Sequence, residues 1–225
     1  MWQIPRLWED GRCIIIGGGA SLPKQFNVPE TLVQSVLLGK NSPSVYSPYM
    51  ESIHSYHIIA VNMAYKLGDW VDCVFFGDAS FPKKATPDFF EFSGLKITCA
   101  TELEKECGYK VIPRNAEHRY GITFKPNYIS WNGNSGAAAI NLAVHFGVVQ
   151  ILLLGFDMKL DEGGNQHWHR FYPANKNTVE GKFKIHRKGF PRIAEDLRGK
   201  VEVINCNPDS SIIDFPRCDI KDLLK

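Results

Sequence analysis

The sequence predicts an α/β protein: a Rossmann-like, doubly wound and mostly parallel sheet with helices on both faces, forming a single domain over residues 1–225. Three observations carry that prediction. Short runs that are apolar on both faces recur along the chain, as parallel strands covered by helices require. Helical stretches lie between them, the alternation of a wound α/β sheet. Glycine, asparagine, serine and aspartate collect just past the ends of the runs, where open parallel sheets bind their ligands.

The strands are read at CIII (Cys13–Ile16), HIIAV (His57–Val61), DCVFF (Asp72–Phe76), LKITC (Leu95–Cys99), QILLLG (Gln150–Gly155) and VEVINC (Val201–Cys206). Between the first two, PETLVQSVLLG opens on proline and closes on glycine, the usual punctuation of a helix. The strongest helix is SGAAAINLAVHFG (Ser135–Gly147), in which Ala138, Ala139, Leu142, Val144 and Phe146 give a broad apolar surface and Gly147 can cap the end. A shorter amphipathic helix is predicted in KGFPRIAEDLRG (Lys188–Gly199), entered around Pro191. Lys40–His54 and Asp161–Lys184 read as irregular, and long loops of that kind are usually lids or binding loops. A lid or binding loop is therefore expected at 161–184.

Bulk properties exclude several classes. A chain of 225 residues buries a full core as one domain, and a formal net charge of +2 argues against nucleic acid bound through charge alone. No apolar run approaches the roughly 20 residues that span a bilayer. The opening MWQIPRLWEDGRC lacks an apolar signal core, so a cytoplasmic protein is expected. Of the six cysteines none forms a C-x-x-C pair, and Cys13, Cys73, Cys99 and Cys206 sit in apolar strands, where a reduced thiol behaves as a small hydrophobe.

The chemistry is expected at four strand ends. In GGGASL, Gly17, Gly18 and Gly19 lead to Ser21; bare amides there can approach phosphate oxygens, or the glycines serve a plain tight turn. Leu22 takes the last glycine position of G-x-G-x-x-G, and a Walker lysine is missing. Asn62, past the second strand, either reads a base or hydroxyl or caps a helix. Asp78, past the third, either binds a ribose, hydroxyl or metal or caps the next helix. At the fourth, Asn134, Ser135 and Gly136 present amides and a hydroxyl at a positive helix end. Gly155 and Asp157 follow the next strand, with Lys159, His167, His169 and Arg170 beyond. Cationic or protonatable groups there suit a leaving phosphate. HWH puts two imidazoles on one side of an extended segment, and with Asp157 they offer metal ligands or act as plain core residues. His186 in FKIHRKGF, just ahead of a helix, is either a surface histidine or a base for a hydroxyl.

The ordered set GGGASL, IIAVN, VFFGD, NSGAAAINLAVHFG, ILLLGFD, IHRKG and VEVINCNPDSSIIDFP resembles the single-domain bacterial sialyltransferases. It also resembles the related domain of motility accessory factors, the archaeal 6-hydroxymethylpterin pyrophosphokinases and, closest, uncharacterised phage-borne relatives. The likeness spans most of Cys13–Pro216, with Ala20 where the family's loop has proline. It implies a cytidine nucleotide held by Gly17–Gly19, Ser21, Asn62, Ser135, Gly136, Gly155 and Asp157, with Asp78 and Asn134 beside them. It implies a CMP-sugar donor of the nonulosonate type, a hydroxyl acceptor, and His186 as the base that activates that acceptor. Where the family holds the leaving phosphate with tyrosines after the G-x-D element, this chain is read as offering Lys159, His167 and His169; Asp78 stands where the family has asparagine. The resemblance also leaves open Mg-dependent diphosphate transfer from ATP to a hydroxymethyl group, with Asp78 and Asp157 on the cation. A non-catalytic nucleotide-binding module, and a second copy of the chain as partner, stay open as well.

Overall fold

The computed structural model describes residues 2–85, 87–172 and 176–224, with backbone alone for 176–178. Seven parallel strands form one sheet: β1 (Arg12–Ile16), β2 (His57–Val61), β3 (Cys73–Phe76), β4 (Leu95–Thr98), β5 (Tyr109–Val111), β6 (Gln150–Leu154) and β7 (Glu202–Asn205). Their order is β5-β4-β3-β2-β1-β6-β7. The six predicted strands are all present, within a residue of the expected ends. The three-residue β5 was missed, because YKV between polar turns is too short to show a period.

Strand residues alternate between two cores. Ile15, Ile59, Phe75 and Leu153 face one, with Ala138, Leu142 and Phe146 of the long helix; Ile14, Ile16, Ile58, Phe76 and Leu154 face the other, with Leu22, Tyr46, Phe81 and Trp168. This two-sided burial is why the strands read as unbroken apolar runs.

The helices are α1 (Leu22–Gln25), α2 (Glu30–Leu37), α3 (Phe81–Ala85), α4 (Ser135–Phe146), α5 (Lys176–His186) and α6 (Phe190–Leu197). Gly147 ends α4 in the left-handed conformation, φ 91°, as its sequence position predicts. Two expectations of irregular structure are corrected. Pro43–Ile53 is 3-10 helical, packing Tyr46, Met50 and Ile53 inward, and α5 occupies the end of the supposed loop 161–184. Residues 173–175 of that loop lie outside the described residues. The α5 sequence KNTVEGKFKIH mixes β-branched, polar and glycine residues, so its helical period is weak.

The strand order reverses between β1 and β6: from β1 the chain builds outward to β5, then returns to add β6 and β7 on the other side. The loops leaving β1 and β6 meet there, the Gly19 N–H donating to the Gly155 carbonyl at 2.8 Å, and a crevice opens beside them at the carboxyl edge. Among the described residues no helix is long and apolar enough to cross a membrane.

Candidate functional site

A cleft of about 510 Å³ opens at this switch point, within the size range of small-molecule sites. Its lining includes Gly17, Gly18, Gly19, Asn62, Asp78, Asn134, Ser135, Gly136, Gly155, Asp157, Lys159, His167 and His186, residues drawn from strand ends far apart in sequence. Ser21 and His169 stand just behind it.

The glycine loop is explained by packing. None of Gly17, Gly18 or Gly19 has a positive φ. A Cβ on Gly17 would sit 2.7 Å from the Gly155 carbonyl oxygen; on Gly18, 2.9 Å from His167 Nδ1; on Gly19, 2.6 Å from Asp157 Cγ. Neighbouring protein, not an approaching ligand, therefore demands the bare backbone. Gly155, after β6, is conformationally required, with φ 66°.

Asp157 is 5% exposed and its carboxylate is engaged on both oxygens. Oδ2 accepts the Ser21 N–H at 2.8 Å; Oδ1 accepts the Ser21 hydroxyl at 2.5 Å and the Asn207 side-chain amide at 2.8 Å. Asp157 thus ties the glycine loop to the turn after β7. Asp157 and Ser21, expected at a nucleotide or metal, bond to each other, and Asp157 lines the cleft as well. Asp78 is exposed and 3.9 Å from Lys84. Among the described residues Asp78, Asp157, His167 and His169 form no group of ligands able to hold a metal ion.

Within the expected lid or binding loop at 161–184, His167 and Trp168 are tied to the glycine loop. His167 bridges Gly19 as an antiparallel pair, and Trp168 donates Nε1–H to the Gly17 carbonyl at 2.9 Å while its ring fills the core. The HWH imidazoles do lie on one side, stacked 5.0 Å apart at 8°. His167 Nδ1 lies 3.1 Å from the Gly18 carbonyl oxygen, which can only accept, so Nδ1 carries the proton. Burial holds both imidazoles below their usual pKa, His169 far below, with the His167 charge adding to the effect on His169. Of the cationic or protonatable groups expected to meet a phosphate, the two imidazoles are thus held toward their neutral forms.

Asn62 does not cap a helix. It adopts φ 53°, a left-handed conformation that asparagine tolerates, with Val61 in the cap position and no side-chain cap. Asn134 is the helix cap: Oδ1 accepts the Ala137 N–H at 2.7 Å, and Nδ2 donates to the His186 carbonyl at 2.8 Å. One side chain therefore sets the start of α4 and fixes the end of α5, where His186 lines the cleft. The Ser135 and Gly136 N–H groups, at the first turn of α4, have no intrahelical acceptor and face the same space. Burial, then the nearby Lys182 charge, lowers the His186 pKa, leaving a neutral imidazole able to take a proton.

Several lining residues were not anticipated: Gly77, Lys84, Arg114, Trp131, Phe156 and Tyr172. The absence of a tyrosine after the G-x-D element is corrected, since Tyr172 stands against both imidazoles, 5.8 Å and 5.6 Å between centroids. Burial, then Asp78, pushes its phenol up to about 12, so it remains a hydrogen-bond donor. The signal for Tyr172 was in the sequence, but its distance from GFD hid it. Nothing local marked Arg114 or Trp131.

No protein-family model matches the chain, and no curated protein matches it. Solved structures do. The MAf glycosyltransferase from Magnetospirillum magneticum AMB-1 superposes with a TM-score of 0.62 at 13% identity, covering 95% of this chain but only 34% of that one. The Campylobacter jejuni sialyltransferase CstII in complex with cytidine-5'-monophosphate gives 0.52 at 12% identity, covering 94% and 86%. The same enzyme with CMP-3FNeuAc gives 0.52 at 12%, covering 93% and 86%. The chain therefore has the Rossmann-like fold seen in these glycosyltransferases.

Proposed function

We propose that this protein is a glycosyltransferase that moves a sugar from a cytidine-monophosphate donor to a hydroxyl acceptor. The observation that carries this reading is the cleft at the switch point, where the Ser135 and Gly136 amides, Tyr172 and Lys159 line one space with the neutral His186. The nucleotide complexes of the structurally similar CstII support cytidine monophosphate as the ligand to test first.

In this scheme the acceptor oxygen attacks the anomeric carbon as the bond from that carbon to the phosphate oxygen breaks. The electron pair leaves on the phosphate, which the α4 amides, the Tyr172 hydroxyl and the Lys159 ammonium stabilise. His186 takes the acceptor proton and returns it to solvent. His167, neutral and donating to Gly18, shapes the loop and is not the cation of the site.

Calorimetric titration with CMP, UMP and AMP tests the reading. Heat with CMP that exceeds the other two supports it; no heat with any cytidine nucleotide, with or without Mg²⁺, rejects it.

A further inference from the structure

Arg114 lines the cleft and is exposed, yet it is held more firmly than an exposed arginine ordinarily is. Its guanidinium lies 4.2 Å from the centroid of the Trp131 ring. Nη2 donates to the Gly77 carbonyl at 2.6 Å, and Nε donates to Cys99 Sγ at 3.4 Å. Trp131 is itself set by Gly77, where a Cβ would meet the indole at 2.1 Å. One edge of the fork and one face are therefore fixed by protein. The Nη1 amino group and the outer hydrogen of Nη2 have no acceptor among the described residues, and Arg114 has no carboxylate partner among them. The neighbouring cation differs: Lys84 has Asp78 at 3.9 Å.

The position of this open edge matters. The place a Cβ on Gly77 would occupy is 3.3 Å from Ser135 Oγ, so the Arg114–Trp131 platform adjoins the amides at the start of α4. The cleft thus has two adjacent groups of donors, one of main-chain amides and one a planar cation pre-set for an oxyanion. A ligand with a single phosphoryl group uses only the first.

We propose that Arg114, seated on Trp131 and fastened to Gly77, forms a second oxyanion subsite that binds a carboxylate or terminal phosphate carried by the ligand next to its first phosphoryl group. The assignment rests on the proposed donor reading and deepens it. It selects donors with a second negative group, a carboxylated sugar or a diphosphate, over neutral sugars on a single phosphate. Trp131 fixes the plane of the fork, and the Gly77 carbonyl fixes its rotation, so little side-chain entropy is lost on binding.

The experiment compares wild type with Arg114→Gln and Arg114→Lys by calorimetry, using CMP, CDP and a CMP-linked carboxylated sugar. Inorganic phosphate and pyrophosphate serve as probes that need no nucleotide recognition. Arg114→Gln should leave CMP and phosphate affinity within about twofold and weaken at least one doubly anionic ligand by about tenfold or more, as loss of a charge-assisted pair requires. Arg114→Lys, which keeps the charge but not the fork, should fall between. If CDP and pyrophosphate respond, the second group is a phosphate; if only the sugar acid responds, it is a carboxylate. Equal weakening of CMP and the doubly anionic ligands overturns the proposal, because Arg114 would then serve the first phosphoryl group. Unchanged affinity for every ligand overturns it too, leaving Arg114 a clamp on Gly77. A thermal melt of each variant separates misfolding from loss of binding, and Arg114→Lys carries the test if Arg114→Gln does not fold. If wild type ignores all cytidine ligands but binds pyrophosphate more tightly than phosphate through Arg114, the donor reading fails and the subsite stands. A wild type that binds pyrophosphate no better than phosphate, and no doubly anionic nucleotide better than CMP, removes the subsite.

Discussion

The two rims of the cleft are built on opposite principles. On the β1–β6 rim most of the conspicuous polar groups are engaged with one another: Asp157 with Ser21 and Asn207, Trp168 with Gly17, His167 with Gly18. Backbone segments approach so closely there that a single added carbon collides. On the α4–β3 rim donors are left open, at the first turn of α4 and on Arg114. The residues most conspicuous in the sequence, the glycines and the G-x-D aspartate, build the rigid rim. The open rim, together with Lys159, Tyr172 and His186, holds the groups able to act on a ligand. A polar residue near a cleft is informative according to whether its hydrogen bonds are already made.

Substitutions on each rim should separate these roles. The largest effect is expected on the open side, where His186→Asn should lower kcat by about a thousandfold, or about 4 kcal/mol of barrier, while the melting temperature changes little. Steady-state transfer assays beside a thermal melt check this; unchanged turnover would remove His186 from the chemistry. On the rigid side the order should invert. Asp157→Ala strands the Ser21 N–H and the Asn207 amide, and should cost about 3 kcal/mol of stability in urea unfolding, with nucleotide binding lost only as the fold loosens. A weaker cost of about 2 kcal/mol is expected for Gly19→Ala, because the backbone can shift to relieve part of the clash.

The smallest effect is a pH slope. In the unfolded chain histidines take up protons from about pH 6.5, whereas burial keeps folded His167 and His169 neutral to lower pH. Between the unfolded and folded values the unfolded state binds more protons, so stability falls as the solution is acidified below about 6.5. Each such histidine contributes up to about 1.4 kcal/mol per pH unit in that window. Melting curves from pH 7.5 to 5 measure the slope, which His169→Phe should flatten; a slope of opposite sign would mean that these imidazoles gain protons on folding.

The contrast also explains which parts of the molecule were legible in advance. Six of the seven strands and the long helix were readable, because two-sided burial writes an apolar run and Asn134 and Gly147 punctuate α4 directly. Strand β5 was too short, and α5 carries glycine and β-branched residues that blur its period. At the site, position past a strand end brought twelve expected residues to one cleft, and His186, read ahead of a helix, joins them. Their roles were another matter. The bond from Asn207 to Asp157 was not readable, because nothing in the sequence pairs the two. Tyr172 escaped notice because only the folded 167–172 segment turns it toward the cleft.

What the sequence determined by itself is the set of strands, the punctuation of the principal helix and the identity of the residues at the carboxyl edge. These follow from local period and burial, which each segment carries within its own few residues. Only the tertiary structure decided which polar atoms are already satisfied, which imidazoles stay neutral, and that Arg114 and Trp131 stand beside the start of α4. Hydrogen-bond partnership and desolvation are properties of atoms brought together across long separations, 136 residues in the case of Ser21 and Asp157. No local pattern encodes them.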